Sequence, residues 1–224
     1  MRACAGIGID VGANRLHVVG LDRDLVVVVA EVMDPDADTL DRLLASLPTA
    51  TPVAIDGPGG PSAAPYADDT TLAPKFRHAR GCEVELGRRR RIWVPFATPT
   101  HSLDPWMSVA ANVHDRSEAL GHVPLEVYPH AVFVTLLGHR PPKKSTPGGV
   151  AARVSALRSV GLSDPTLPLW SHDSLDAAAA AVVAAQHRAG TAVAIRCDLD
   201  GTAIWLPSGP VSVWPTPRCD RSPA

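Results

Sequence analysis

Three short runs of apolar and β-branched residues crowd into the first 32 positions, and one helix-patterned segment separates them from a fourth. Residues 5–11 (AGIGIDV), 16–21 (LHVVGL) and 25–32 (LVVVVAEV) are interrupted only by Gly12-Ala13-Asn14 and by Asp22-Arg23-Asp24. Runs of this kind bounded by turn-forming residues read as strands, and links this short join antiparallel neighbours. Leu40, Leu43, Leu44 and Leu47 then recur at helical spacing across 38–47, until Pro48 stops the pattern. Residues 51–55 form a buried-strand run that closes at Asp56. An antiparallel meander followed by a helix and a returning strand restricts the chain to an α/β fold with a mixed β-sheet, antiparallel in strands 1-2-3 and parallel beyond, flanked by helices.

The remainder continues that plan. Residues 57–74 are rich in Gly, Pro and Ala, a long loop directly after a strand-end acid, where active-site loops tend to lie. The pattern predicts a basic helix over 76–91, a Pro-bounded strand over 92–96, a helix over 104–120 and a strand over 125–128. Helices follow over 129–137, 150–160 and 174–188, the last closed by Gly190, and a strand over 202–206. A single domain is expected over 1–207, with a Pro-rich C-terminal tail over 208–224. Aromatics are only 4% of the chain against 46% apolar residues overall, so Val, Ala and Leu must build its core.

Composition also excludes several classes. Cys4, Cys82, Cys197 and Cys219 are widely spaced and form no C-x-x-C pair, which argues against a zinc site and a disulfide scaffold. The start lacks the apolar stretch of a signal peptide, and the longest apolar run, 177–185, is far below the roughly 20 residues of a membrane span. A cytoplasmic location with no membrane partner is the expectation. The net charge of −2 means that any nucleic-acid binding must come from local basic patches.

Acids stand where these elements begin or end. Asp10 closes the first strand in GIGID and Asp56 closes the fourth in VAID; Asp173 and Asp176 open the last long helix in SHDSLDAAAAA. If the first and fourth strands are neighbours, Asp10 and Asp56 lie side by side, and helix residues three apart share a face. Clustered carboxylates suit Mg²⁺ or Mn²⁺, and a pair of such ions supports phosphodiester cleavage. Glu126, in LEVYP, is a fifth candidate metal ligand. The plainer alternatives are strand-end turn formers for Asp10 and Asp56, and a helix start for the pair at 173 and 176, with Asp173 as N-cap.

The segments GIDVG (8–12), AIDGP (54–58), ARGCEVEL (79–86), LEVYPHAVF (125–133), KKSTPGGVAAR (143–153) and HDSLDAAAAA (172–181) occur in an order and spacing that resemble the DUF429 family. Those proteins are predicted nucleases of ribonuclease-H-like fold, and the likeness runs from residue 6 to the AIWLP at 203–207. HDSLDAAAAA also resembles the last catalytic helix of Holliday-junction resolvases. The resemblance implies a ribonuclease-H-like fold, with Asp10, Asp56, Asp173 and Asp176 as catalytic metal ligands. The family often carries an acid after the proline of the E-V-x-P segment, where this chain has His130.

Two basic stretches follow the acid-bearing strands. Lys75, Arg77, Arg80 and Arg88–Arg91 face only Glu83 and Glu85, while Arg140, Lys143, Lys144, Arg153 and Arg158 have no acid among them. Such clusters grip phosphate backbones through counterion release. Arg80, Lys144 and Arg153 are the candidate phosphate contacts, although Arg80 can also pair with Glu83 across a turn, and either stretch can be a solvated surface. His172 precedes the acid-bearing helix, where it can orient a water or stand as a polar loop residue.

Three functions compete. One is a Mg²⁺- or Mn²⁺-dependent nuclease acting on nucleic acid through two metal ions. Another is a catalytically silent module of the same fold that binds nucleic acid or protein. The third starts from GIDVGANRLHVVGLD, which resembles the first phosphate loop of sugar kinases and actin-like ATPases; those duplicate the fold, and 224 residues leave no room for a second half.

Overall fold

The computed structural model describes residues 4–209. Trp214, Cys219 and the expected tail beyond Gly209 lie outside the described residues. Strands β1 (Gly6–Val11), β2 (Leu16–Leu21) and β3 (Val27–Met33) form the antiparallel meander. The first turn closes with Gly12 N–H donating to the Arg15 carbonyl at 2.9 Å. At the second, the Asp22 carboxylate accepts from the N–H groups of Asp24 and Val26, each at 2.9 Å. An Asp side chain that bonds the backbone just ahead of it builds a turn without help from the rest of the fold.

Helix α1 (Ala37–Ala45) starts at Asp36, whose carboxylate accepts from Thr39 N–H at 2.9 Å, and it buries Leu40 and Leu44. Strand β4 (Pro52–Asp56) then returns parallel to β1, pairing Ile7 with Val53, Ile9 with Ile55 and Asp10 with Asp56. Next come α2 (Pro74–Arg77), α3 (Gly81–Arg90), α4 (Pro105–Ala119), β5 (Val123–Val127), α5 (Pro129–Leu137) and α6 (Pro147–Ser159). A 3₁₀ turn (Leu167–Leu169), α7 (His172–Arg188), β6 (Val193–Arg196) and β7 (Ala203–Leu206) complete the described chain. The sheet runs β3-β2-β1-β4-β5-β7-β6, with β1-β4, β4-β5 and β5-β7 parallel and the other pairs antiparallel. A 3-2-1 meander extended by parallel β4 and β5 is the ribonuclease-H-like sheet.

Side-chain alternation divides this sheet into two faces. Ile7, Ile9, Val11, Val53 and Ile55 pack with Leu40, Leu44, Ala110 and Val113 of α1 and α4. Val19, Leu21, Ala54, Leu125 and Val127 pack on the other face with α5, α6 and α7. The small residues of β1 and α7 set how close those layers come. A Cβ at Gly8 would lie 2.1 Å from the Ala177 carbonyl oxygen and 2.2 Å from Ala181 N, so the α7 backbone rests directly on the strand. Ala177 to Ala184 are fully buried, and the alanine run is the surface that permits this contact.

Several elements differ from expectation. The helix expected over 76–91 breaks into α2 and α3 at Arg80, which is extended (φ −66°, ψ 149°). No strand forms over 92–96. Arg91 ends α3 in the left-handed conformation (φ 58°), after which Ile92 enters the cluster of β6 and β7 and Val94 enters that of Phe76. Trp93 between them rests on Gly87 and on the Phe76 ring, 4.5 Å between centroids. The alternation there comes from a segment wedged between two apolar clusters and not from strand pairing. β6 was not anticipated, since only Ile195 of its four residues is buried. Helices α6 and α7 begin earlier than expected, capped by Thr146 (accepting from Gly149 N–H, 3.1 Å) and Ser171 (accepting from Ser174 N–H, 3.0 Å). Asp173 is therefore inside the first turn of α7 and is not its N-cap.

Candidate metal centre

Gly6, Gly8 and Asp10 alternate on the α7 side of β1, and Asp56, in register with Asp10, shares that side. Because Ala177 sits on Gly8, the preceding turn of α7 overhangs the strand ends and brings Asp176 there. Asp10 and Asp176 are both buried, whereas Asp56 is partly open. Lys144 Nζ lies 2.9 Å from Asp176 Oδ2 and 3.3 Å from Asp173 Oδ1, so the two helix acids do turn one face to a shared cation. His172 Nδ1 lies 2.6 Å from Asp173 Oδ1, and ligand atoms of His172, Asp173 and Asp176 all fall within 4.8 Å of one another.

Like charges and desolvation act together here. Burial, followed by the charges of Asp176 and Asp173, pushes the Asp10 carboxyl up to about 7. Desolvation and then the charges of Asp10 and Asp176 raise Asp56 well above the usual carboxylate range. Asp176 is raised by burial despite Lys144. Asp173 is lowered, its desolvation being outweighed by Lys144 and His172. Three crowded carboxylates that resist ionisation, with oxygen as the donor, fit a hard divalent cation.

His17 belongs to the same group and was not singled out from sequence. It pairs across the hairpin with Asp10, its Nδ1 is 3.1 Å from Ser174 Oγ, and its Nε2 is 4.0 Å from Asp173 Oδ2. Desolvation lowers its pKa. Counting outward from the turn closed by Gly12 and Arg15 pairs residue 10 with residue 17, so the hairpin pattern carried the signal.

Lys144 reaches the acids because the loop before α6 doubles back on the helix. A Cβ at Gly149 would lie 2.0 Å from the Lys143 carbonyl oxygen, so this close approach requires glycine. Arg153, expected to contact phosphate, is instead buried. It donates to the carbonyls of Gly149 (3.0 Å) and Pro142 (3.2 Å) and stacks on Phe133, with Nε 3.8 Å from Asp176 Oδ1 and without a hydrogen-bond partner.

Glu126 does not join the aspartates. It is in register with Ile55, one residue before Asp56, and therefore points to the opposite face of the sheet. There it forms a buried ion pair with Arg80 and accepts from Gly59 N–H at 3.4 Å. Arg80 is thereby consumed as a partner of Glu126 and is not free to hold phosphate. Its pairing with Glu83 involves only the Arg80 backbone N–H, 3.1 Å from Glu83 Oε2, while the guanidinium turns to Glu126. Burial pushes Glu83 up to about 7, and it also accepts from Thr98 Oγ1 at 2.7 Å. The first basic stretch is further spent on structure: Arg88 pairs with Asp69 and Arg89 with Glu85.

At the C-terminal ends of β1, β4 and β5 a cleft of about 820 Å³ opens, lined by Asp56, Asp176, Lys144, Arg140, Tyr128 and Trp106 among others. Crevices beyond the carboxyl ends of parallel strands are where α/β sheets bind ligands.

Fold and site together define a ribonuclease-H-like α/β protein with an aspartate group at the strand ends. A family model described as a protein of unknown function, DUF429, matches residues 8–198, and the chain belongs to that family. Among solved structures, that of RuvC from Thermus thermophilus is similar at 17% identity, covering 83% of this chain and 96% of that one with a TM-score of 0.41. No curated protein matches the sequence.

Proposed function

We propose that this protein is a Mg²⁺- or Mn²⁺-dependent nuclease, hydrolysing phosphodiester bonds with Asp10, Asp56, Asp173 and Asp176 as its metal-holding and catalytic residues. The observation that carries the reading is the in-register placement of Asp10 and Asp56 on adjacent parallel strands, with buried Asp176 brought over them by the Gly8–Ala177 contact. Bound divalent ions would supply charge neutralisation at the phosphate and activation of the attacking water. The chain's own residues do the rest. Asp10 and Asp56 offer oxygens from a rigid sheet, and Asp176 offers them from the helix above. Lys144, protonated because Asp176, Asp10 and Asp173 outweigh its desolvation, stands ready to meet a phosphate oxygen. His17 Nδ1 and Ser174 Oγ hold each other beside Asp173.

Among the described residues no helix is long and apolar enough to cross a membrane. Cys4, Cys82 and Cys197 are free buried thiols, which supports a reducing cytoplasmic setting.

Asp10→Asn tests the assignment. The variant should fold and lose Mn²⁺- or Mg²⁺-dependent cleavage of labelled oligonucleotides by at least about a thousandfold; cleavage retained at the wild-type rate by the purified variant refutes it. The second reading, a module that binds nucleic acid or protein without turnover, has one observation in its favour: Lys144 already lies between Asp173 and Asp176. Calorimetric titration with Mn²⁺ separates the two, since a silent module takes up no ion at the aspartates.

A further inference from the structure

The plane of the sheet divides the cleft into two unlike walls. On the α7 side stand Asp56, Asp176 and Lys144; Trp106 of α4 lines the cleft together with Val94 and Phe96, and the polar groups of Glu83, Thr98 and Glu126 join them. The apolar wall is open to the cleft in part. Phe96 is 66% exposed and Trp106 is half-buried. The Trp106 ring also lies against the turn that follows Asp56: a Cβ on Gly57 would sit 3.4 Å from its Cζ3. Aromatic faces thus border the acid-bearing strand end on one side while a protonated lysine borders it on the other.

That combination discriminates between forms of nucleic acid. A duplex hides its base faces in the stack and offers proteins its phosphates, sugars and groove edges. An apolar aromatic wall beside the phosphate site has nothing to bind there. An unpaired nucleotide offers a free π-face one sugar away from its phosphate, and aromatic side chains take such faces with little regard to base identity. The volume is also that of a small-ligand site, within the roughly 300–1,000 Å³ such clefts span. The charged wall alone would serve any phosphodiester; the apolar wall needs a base.

We infer that the cleft accepts a single unpaired nucleotide of a nucleic-acid strand, its base against Trp106 and Phe96 and its phosphate toward Lys144 and the aspartates. This rests on the nuclease reading for the fate of the phosphate but not for binding. The chemistry it shares with a free mononucleotide is separated from it by the neighbouring phosphates of a strand, which meet Arg140 and Lys143 at the rim of the cleft.

The test is fluorescence anisotropy of the full chain with Ca²⁺ in place of Mg²⁺. The probes are a labelled 12-nucleotide single strand, the blunt duplex of the same sequence, the strand with abasic sugars at its central positions, and AMP as competitor. The intact strand should bind at least about tenfold tighter than the duplex or the abasic strand. Phe96→Ala should weaken binding of the intact strand by roughly 5- to 150-fold, the equivalent of about 1–3 kcal/mol for one stacked base, and leave the abasic strand unaffected. Because Phe96 is exposed, its loss should not move the melting temperature; Trp106→Phe, which keeps an aromatic face, should retain binding.

Equal affinity for duplex and single strand, or an unchanged Phe96→Ala variant, overturns the inference. Competition by AMP at the affinity of the strand also overturns it, in favour of a free-nucleotide site. Wild-type cleavage that proceeds equally on duplex and survives Phe96→Ala refutes the unpaired-nucleotide inference and leaves the nuclease reading standing. Strand binding lost in Phe96→Ala, with no cleavage in any divalent ion, does the reverse.

Discussion

Replacing Asp10 by Asn should stabilise the metal-free protein at neutral pH while abolishing its chemistry. Asp10 is 8% exposed and its carboxyl is pushed up to about 7 by burial and by Asp176 and Asp173, against an ordinary value of 3.8. A group whose pKa is higher folded than unfolded holds extra protons in the folded state, so folding loses stability as pH rises. The cost is absent below about pH 4, grows between 4 and 7, and is complete above 7. At about 1.4 kcal/mol for each pH unit, it reaches about 4 kcal/mol as a ceiling. Asn keeps the shape but carries no charge. Even half of the ceiling, about 2 kcal/mol, corresponds to roughly 4–8 °C in Tm for a chain of this size. Urea and thermal unfolding in EDTA at pH 4.5, 6 and 7.5 would measure it. Wild type should lose stability across the series relative to Asp10→Asn, and added Mn²⁺ should restore it in wild type more than in the variant. Equal stability of the two proteins at pH 7.5 would show that these acids are not held in a charge-crowded site.

Gly8→Ala should destabilise the protein by about 1–3 kcal/mol or more and weaken Mn²⁺ binding in parallel, because its Cβ meets the α7 backbone and lifts Asp176 away; calorimetry and denaturation read the two effects. Arg80→Ala should cost about 3–5 kcal/mol by leaving buried Glu126 without its partner, and the Arg80→Met/Glu126→Met double variant should recover most of it. A double-mutant cycle in urea unfolding that finds the two changes additive would refute that pairing.

Local chemistry explains why much of the fold could be read in advance. Asx geometry at Asp22, alternation in the first three strands, the leucine spacing of α1 and the alanine run of α7 each act over a few residues. The misread segments are those whose apolar pattern serves something other than an element. Ile92 and Val94 anchor a connection in two separate clusters, and β6 is an edge strand with too little burial to show alternation. The basic stretch over 75–91 looked like a phosphate grip because charge count carries no information about partners; Asp69 and Glu126, from elsewhere in the chain, and Glu85, from within the stretch, absorb three of its arginines.

The positions of Asp10 and Asp56 at strand ends, and of Asp173 and Asp176 on one face of a helix, are written into the order of residues, since periods of two and of 3.6 are properties of the backbone itself. Which acids meet was left to the packing of layers. Glu126 stands one register position before Val127, the partner of Asp56, and that single step sends it through the sheet to Arg80. Asp176 reaches Asp10 only because glycine at position 8 lets a helix lie on a strand more than 160 residues away in the chain. Alternation tells a chain that neighbours face opposite ways; it takes the assembled sheet, with a helix on each side, to decide which way is the site.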